Sequence, residues 1–377
     1  FEHMMFQGSA NVGKGEHFQL IERAGGSMNG TTNEDRTNYF ETLPSNRLNL
    51  GLWLEADRMR SLAITKENFE NQRETVKEER RLGVDNRPYG AAFTDGLTLP
   101  FDSTGCFAYA HTVIGSMDDL NAAKLEDVQA FFNLYYAPNN ATLVVVGDFE
   151  SAEAKRLIAE YFGGLERGAE PPGVSCEVRY APGSESRTFD DPLANLPAVL
   201  LLYRMPGHAD PATRPLQLLS TILGQGESSR LHQGLVREAK SALQTGTFVD
   251  SRRGPSVFIA FAIANQGVSA GTLAAQLAAQ VARLGAEEVT PDELTKARND
   301  FRASDILGRQ TTMQIAEQIQ HYAHYHDALD ELHTDLDRYM AVTADDIRAA
   351  ARRYLVPQNS YAIIVLPKAA ASTGGGP

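Results

Sequence analysis

The segments DVQAFFNLYYAPNNATLVVV (residues 127–146) and DIRAAARRYLVPQNSYAIIV (residues 346–365) decide the fold, because they are two copies of one pattern. Each has apolar residues at helical spacing, then a proline that ends the helix, then an aliphatic run typical of a buried strand. One constant shift aligns all of these features. A second echo, ITKENF (64–69) and VTPDEL (289–294), occurs in the same order. Self-similarity over half the chain indicates two duplicated domains.

Stretches with helical periodicity alternate with short strand-like stretches along both halves of the chain. We predict helices over 14–24, 45–61, 66–82 and 124–138, and strands over 27–32, 37–44, 141–149 and 197–206. This mixture predicts an α+β fold of two duplicated domains, each a mostly antiparallel sheet packed with helices on one side.

The two domains are separated by a passage rich in Gly, Pro and Ser. It includes GGLERGAEPPG (163–173) and APGSESR (181–187), and it reads as a linker or meander. We therefore expect an N-terminal domain at residues 1–178 and a homologous C-terminal domain at residues 179–377.

The repeat also predicts what precedes the chain as given. FEHMMFQGS (1–9) holds the place in the first domain that RPLQLLSTILG (214–224) holds in the second. The strand-like stretch 197–206 comes before 214–224 and has no counterpart in the first domain. We therefore expect roughly 35 residues of the first domain upstream of Phe1.

Composition excludes several classes of function. The net charge of −13 argues against a nucleic-acid or anionic-membrane partner, since either needs a basic face. There is no run of eighteen apolar residues, so no transmembrane helix is predicted. Cys106 and Cys176 exclude a disulfide-built scaffold but permit one bridge or none. The compartment stays open between cytoplasm and periplasm, because an export signal would lie upstream of Phe1.

Glu2 and His3 stand side by side in an apolar stretch that reads as the middle of a buried helix. Zinc sites on helices commonly pair two histidines one turn apart with a glutamate that acts as a base. In the inverted H-x-x-E-H arrangement, the glutamate directly precedes the second histidine. Alone, a Glu–His pair is a weak signal, because it is far more often incidental than catalytic.

The flanking blocks make the pair specific, and through them the whole chain resembles the pitrilysin/insulinase family of zinc metallopeptidases, the inverzincins. Residues 1–9 are similar to the end of that family's H-x-x-E-H helix. GGSMNGTTNEDRTNYFETLP (25–44) resembles its G-G-x-x-N-A-x-T…T-x-Y strand pair. NFENQRETVKEERRLGVDNRPYG (68–90) resembles its second ligand helix, and residues 107–149 match a later block.

This resemblance implies a role for each matched residue. His3 and Glu79 would be zinc ligands, Glu79 because the family places its glutamate ligand 76 residues beyond the second histidine. A third ligand would be a histidine two positions before Phe1. Glu2 would be the general base that takes a proton from zinc-bound water and passes it to the leaving amine. Glu78 points about a hundred degrees away from Glu79 on a helix, so it is the weaker candidate.

The strand pair implies a way to bind peptide. An edge strand near the zinc can add an extended peptide through main-chain hydrogen bonds, which makes Asn29 and Gly30 the expected substrate contacts. The alternative is that Asn29 is simply a turn residue. The family often has a glutamate seven residues before its ligand glutamate, and here that position is Gln72.

The second domain is expected to have no metal site. Aligned on the repeat, Gln217 and Leu218 occupy the positions of the Glu–His pair, and Ser304 falls opposite the ligand glutamate. In active relatives this domain, or that of a partner subunit, offers an arginine and a tyrosine seven residues later. Arg237 is retained and would bind substrate, but the tyrosine position is Gln244. We therefore expect a second family subunit that supplies the intact pair in a heterodimer, with a homodimer as the alternative.

Two classes of function follow from these observations. The first is a zinc endopeptidase that cuts short or unfolded peptides inside an enclosed chamber. The second is a non-catalytic structural or substrate-presenting subunit, a kind of relative that generally lacks the Glu and His of the motif. Glu2, His3 and Glu79 are all present, which favours the enzyme.

Overall fold

A computed structural model of the protein describes residues 1–174, 176 and 185–368. In chain order its helices are α1 (Glu16–Arg23), α2 (Leu48–Ser61), α3 (Lys66–Arg80), α4 (Gly90–Thr94), α5 (Met117–Ala122), α6 (Leu125–Tyr135), α7 (Ser151–Phe162), α8 (Thr213–Gly224), α9 (Ala270–Ala286), α10 (Pro291–Leu307), α11 (Thr312–His321), α12 (Asp335–Ala341) and α13 (Ala344–Tyr354). The strands are β1 (Ser27–Thr32), β2 (Thr37–Thr42), β3 (Glu185–Asp191), β4 (Ala198–Met205), β5 (Ala242–Asp250), β6 (Ser256–Ala264) and β7 (Ser360–Pro367). Within the described residues, no helix is long and apolar enough to cross a bilayer.

The chain forms two compact units, and each is made of segments that are not contiguous in sequence. The first unit comprises residues 1–80, 113–174 and 308–323, and the second comprises 81–112, the described residues between 176 and 307, and 324–368. The predicted boundary between residues 178 and 179 lies outside the described residues, as do residues 181–184 of the predicted linker. The two domains at 1–178 and 179–377 therefore stay a prediction.

Most predicted elements are confirmed in the first unit, including α1, α2, α3 and α6. The predicted strand pair is the antiparallel hairpin of β1 and β2, in which Gly30 lies opposite Tyr39 and Thr32 lies opposite Thr37. The Asn33 side-chain oxygen accepts the main-chain N–H groups of the residues two and three positions later, each at 3.0 Å. An asparagine that bonds its own turn in this way closes the hairpin and fixes its register.

Residues matched by the sequence repeat make the same local hydrogen bonds in both units. Asp127 accepts the main-chain N–H of Lys124 at 2.9 Å, and Asp346 accepts that of Thr343 at 2.8 Å, so the same aspartate hydrogen bond caps the start of each helix. After each helix an asparagine amide donates to a tyrosine carbonyl five residues earlier, at 2.9 Å in the first unit and 2.7 Å in the second. The repeat is therefore structural as well as sequential.

One predicted strand is wrong. Residues 141–149 were expected to form a buried strand, but they are unpaired and largely exposed, with Leu143 46% exposed. Strand structure needs a neighbour to take the main-chain hydrogen bonds. The repeat-equivalent strand β7 has such neighbours in β3 and β4, whereas the described part of the first unit pairs only β1 with β2.

The second unit is built on a five-stranded sheet in the order β3-β7-β4-β6-β5. Only β3 and β7 run parallel, so the predicted mostly antiparallel sheet is confirmed. Helices α8, α9 and α13 cover one face, where Val199 and Leu201 of β4 join their core.

The opposite face of this sheet is covered as well, by residues 89–110, which the sequence analysis placed in the first domain. Alternate β4 residues Leu200 and Leu202 pack there with Phe101 and Tyr109. The single disulfide, Cys106 to Cys176, lies in the same layer and settles the choice between one bridge and none. Burial of β4 on both faces explains its continuous apolar sequence.

Candidate functional site

The Glu–His pair lies on a 3₁₀ turn, Glu2–Phe6, and not in the middle of an α-helix. Met4 and Met5 are 3% and 4% exposed and pack with Leu62 in a small apolar cluster. Burial of these two side chains anchors the turn. The neighbouring His3 side chain stays 31% exposed and is free to meet a ligand.

Helix α3 brings Glu79 to this turn. Arg80, the last residue of the helix, is buried and donates from Nη1 to the carbonyl of Gly115 at 2.7 Å, which fixes the helix end. Glu79 Oε2 then lies 3.4 Å from His3 Nε2, although the two residues are far apart in sequence. Gln72 lies two turns earlier on the helix and donates to Asn71 at 2.9 Å.

Glu2 points against strand β1. Its Oε2 accepts a hydrogen bond from the Thr32 hydroxyl at 2.5 Å. A Cβ placed on Gly30 would lie 3.1 Å from Glu2 Oε1, so the missing side chain at this position makes room for the carboxylate. The structure thus brings His3 to Glu79 and brings Glu2 to Gly30 and Thr32, both within the first unit. Asn29 is exposed on the same strand, and its side-chain oxygen accepts the N–H of Gly30 at 2.9 Å.

The spacing of His3 and Glu79 fits a shared zinc ion. Two donor atoms about 2.1 Å from one tetrahedral ion lie about 3.4 Å apart, and imidazole nitrogen and carboxylate oxygen are both ordinary zinc donors. Neither residue belongs to a group of three or more ligand-type side chains within 4.8 Å of one another in the described chain. His3 and Glu79 therefore provide two positions of a coordination sphere that needs one more protein ligand.

Hydroxyl groups extend from Glu2 into the unit. Thr32 Oγ1 lies 3.2 Å from Thr37 Oγ1, and Thr37 also hydrogen-bonds Tyr136. The Tyr136 and Tyr39 hydroxyls are 2.7 Å apart. Thr32, Thr37 and Tyr39 match letters of the strand-pair motif but were given no role from it, and Tyr136, the residue that follows α6, belongs to no quoted motif.

A buried polar cluster lies behind the hairpin. His17 Nε2 and Glu41 Oε1 are 2.6 Å apart, and the Arg58 guanidinium donates to Glu55 and lies 4.6 Å from the centre of the Tyr39 ring. Burial lowers the pKa of His17 to about 4, so its ring is neutral at pH 7. Burial also raises the pKa of Glu55 to about 7. The positive charge of Arg58 offsets the acidic groups of this cluster. The cluster is therefore an internal network that supports the hairpin.

The predicted residues of the second unit lie in different settings. Gln217 on α8 accepts a hydrogen bond from the Tyr339 hydroxyl, Leu218 is buried, and Ser304 is exposed on α10. Arg237 lies in the π-helical turn His232–Glu238 and is exposed, with Nη2 3.1 Å from Glu227 Oε2.

Family models match both halves of the chain. Residues 1–90 match the model described as insulinase (peptidase family M16), and residues 122–301 match the model of the peptidase M16 inactive domain.

Individual relatives extend these matches over nearly the full length. The zinc protease PqqE of Helicobacter pylori is 29% identical over 371 residues, which cover 97% of this chain and 82% of that protein. The crystal structure of a protease from Helicobacter pylori aligns with a TM-score of 0.91 at 28% identity, covering 97% of this chain and 88% of the other. A probable mitochondrial-processing peptidase subunit beta of Arabidopsis thaliana is 23% identical over 333 residues, which cover 84% of this chain and 60% of that protein.

Proposed function

Because the chain belongs to the insulinase/pitrilysin family (peptidase family M16), we propose that it is a zinc-dependent endopeptidase acting on short or unfolded peptides inside an enclosed chamber. One observation carries the proposal: His3 Nε2 and Glu79 Oε2 lie 3.4 Å apart, at the separation expected of two ligands on one zinc ion. Glu2 is the sequence neighbour of His3, and its carboxylate lies against Gly30 and Thr32 of β1.

Each side chain has a distinct task in this proposal. Zinc, when bound, lowers the pKa of a coordinated water and polarises the peptide carbonyl. His3 and Glu79 hold the ion, together with the histidine that the family pattern has two positions before Phe1. Glu2 accepts the proton of the attacking water and delivers it to the amine of the departing product. Thr32 bonds Glu2 Oε2, which leaves Oε1 for this transfer.

Strand β1 is suited to holding the peptide beside these groups. In the described part of the first unit, β1 pairs only with β2, so main-chain groups on its other edge can take an extended substrate. Asn29 and Gly30 lie on this strand next to Glu2. Recognition through the main chain depends little on substrate sequence, which suits an enzyme for unfolded peptides.

A companion subunit is part of the proposal. Arg237 is exposed and would contact substrate, but Gln244 stands where active relatives have a tyrosine. A second family chain with an intact arginine–tyrosine pair would complete the site in a heterodimer, with a homodimer as the alternative. The similarity to a processing-peptidase beta subunit favours a paired arrangement. Size-exclusion chromatography with and without a co-expressed relative tests it, and full activity of the isolated chain would refute it.

A non-catalytic subunit is the second candidate function. The match of residues 122–301 to a model named for an inactive domain favours it. That match does not include Glu2, His3 or Glu79. The retained motif residues therefore favour the enzyme.

Substitution of single carboxylates in the full-length protein decides between the two candidates. In Glu2→Gln, zinc content should stay at the wild-type level while hydrolysis of quenched-fluorescence peptides falls roughly 10²- to 10⁴-fold. Glu79→Gln should lose zinc. Glu78→Gln is the matched control, because it removes a neighbouring carboxylate from the same helix and should change neither value. Wild-type protein that holds zinc yet cleaves no peptide, with or without a co-expressed relative, would establish the non-catalytic role.

A further inference from the structure

A series of hydroxyl groups begins at Glu2. Thr32 donates its single hydroxyl proton to Glu2 Oε2. Its own oxygen is left to accept, and Thr37 Oγ1 lies 3.2 Å away. Thr37 also hydrogen-bonds Tyr136, whose hydroxyl lies 2.7 Å from that of Tyr39. The series therefore connects the contact at Glu2 with two phenols inside the first unit.

Strand geometry places these groups on one face. Gly30 and Thr32 are two residues apart on β1 and share a face, and their direct partners on β2 are Tyr39 and Thr37. Glu2 lies on the same face, against Gly30 and Thr32. Thr31 lies on the opposite face, where its Oγ1 accepts from Arg36 at 2.8 Å.

Packing and burial fix the two tyrosines at the inner end of the series, Tyr39 and Tyr136. The Arg58 guanidinium stacks on the Tyr39 ring, and burial raises the pKa of both Tyr39 and Tyr136 above the ordinary range. Both phenols therefore keep their protons and remain donors throughout the range in which a peptidase works.

We propose that Thr32 is a positioning residue for the Glu2 carboxylate, and that Thr37, Tyr136 and Tyr39 keep its hydroxyl proton aimed at Oε2. This rests on the proposed function of Glu2. With Oε2 held, Oε1 faces the open space left by Gly30 and is the oxygen that takes the water proton. Thr32 contributes by fixing the angle of the base and makes no contact with the reacting atoms.

Removal and restoration of one hydroxyl test this role in the full-length protein. Thr32→Val should lower kcat by about 10- to 100-fold, as loss of an orienting partner does, with KM within about threefold of wild type. Zinc content should be unchanged. Thr32→Ser keeps the hydroxyl and should restore kcat to within about threefold. Thr31→Val, the control on the opposite face, should match wild type.

The double variant Glu2→Gln/Thr32→Val shows whether Thr32 acts through Glu2. It should be no slower than Glu2→Gln alone, because a positioning residue has nothing to position once the base is gone. Melting temperatures measured in parallel identify any variant that fails to fold, and Thr32→Ala, which also removes the hydroxyl, then replaces Thr32→Val in the test.

Three results would overturn the inference while leaving the proposed function intact. These are wild-type kcat in Thr32→Val, a change confined to KM, or a Thr32→Ser variant as slow as Thr32→Val. Full activity in Glu2→Gln would instead overturn the proposed function, and the inference would fall with it.

Discussion

Substitution of Gly30 tests whether the Glu2 carboxylate needs the open space beside β1. A Cβ at position 30 would lie 3.1 Å from both Glu2 Oε1 and Phe6 Cζ, about 0.3 to 0.5 Å inside ordinary van der Waals contact. Phe6 is held by the rings of Phe18 and Tyr39, with centroids at 5.0 and 5.8 Å. Because the ring is confined, the carboxylate must move in Gly30→Ala.

The expected loss follows from the size of this movement. Misplacement of a catalytic group by 1 Å costs about 100-fold in rate, so a shift of 0.3 to 0.5 Å should lower kcat about 4- to 10-fold. The backbone at Gly30 is not left-handed, so alanine fits its conformation and should leave the melting temperature unchanged or slightly higher. The family's strand-pair motif has alanine at the position of Gly30, which agrees with a small loss of activity in Gly30→Ala. Gly30→Val adds two more carbons toward Glu2 and should lose more than about 100-fold.

Steady-state peptide hydrolysis, zinc content and thermal melting should be measured on wild type, both Gly30 variants and Gly164→Ala. Gly164 is the control, because a Cβ there would meet nothing within 4 Å. Wild-type kcat in Gly30→Val would refute the reasoning, since the base would then work without that space. Equal losses in Gly30→Ala and Gly164→Ala would refute it too.

Two further predictions concern stability. The disulfide between Cys106 and Cys176 closes a loop with a sequence separation of 70, so replacement of both cysteines by serine should lower the free energy of unfolding by about 4 kcal/mol in urea titrations; an unchanged unfolding midpoint would contradict this. The folded-state pKa of His17 is about 4, below the ordinary 6.5, so the unfolded chain binds its proton first as pH falls. Wild type should therefore lose up to about 3 kcal/mol relative to His17→Asn between pH 6.5 and pH 4. If the free energies of unfolding of the two proteins change with pH in the same way, the His17 ring is not kept neutral in the folded protein.

The sequence predicts the duplicated pattern well because the repeated residues act locally. Asp127 and Asp346 lie in the first turn of their helices and accept the main-chain N–H three residues earlier, and Asn140 and Asn359 bond a carbonyl five residues earlier. Such contacts depend on near neighbours and so are readable from spacing.

Strand pairing and the packing of layers onto a sheet depend on residues that are distant in sequence, so local sequence patterns do not predict them. The aliphatic run in 141–149 resembles that of β7, yet only β7 has neighbours to pair with in the described chain. Similarly, no local pattern indicates that Phe101 and Tyr109 cover the far face of the second unit's sheet. Their burial follows from the apolar residues on both faces of β4.

The residues of the candidate site also fall into two groups: those that the motif predicts and those that only the structure identifies. Counting along the family motif identifies Glu2, His3 and Glu79, because the motif fixes their spacing. The supporting hydroxyls of Thr32 and Tyr136 come from the hairpin and from the residue that follows α6, which is far away in sequence. Only the folded arrangement brings them together.

The central claim is that His3 and Glu79 hold one zinc ion beside Glu2. Anomalous diffraction at the zinc edge, from crystals of the full-length protein grown with zinc, tests it most directly. We predict one strong peak within about 2.0 to 2.2 Å of both His3 Nε2 and Glu79 Oε2. A zinc peak elsewhere in the protein, with none between these two atoms, would contradict it.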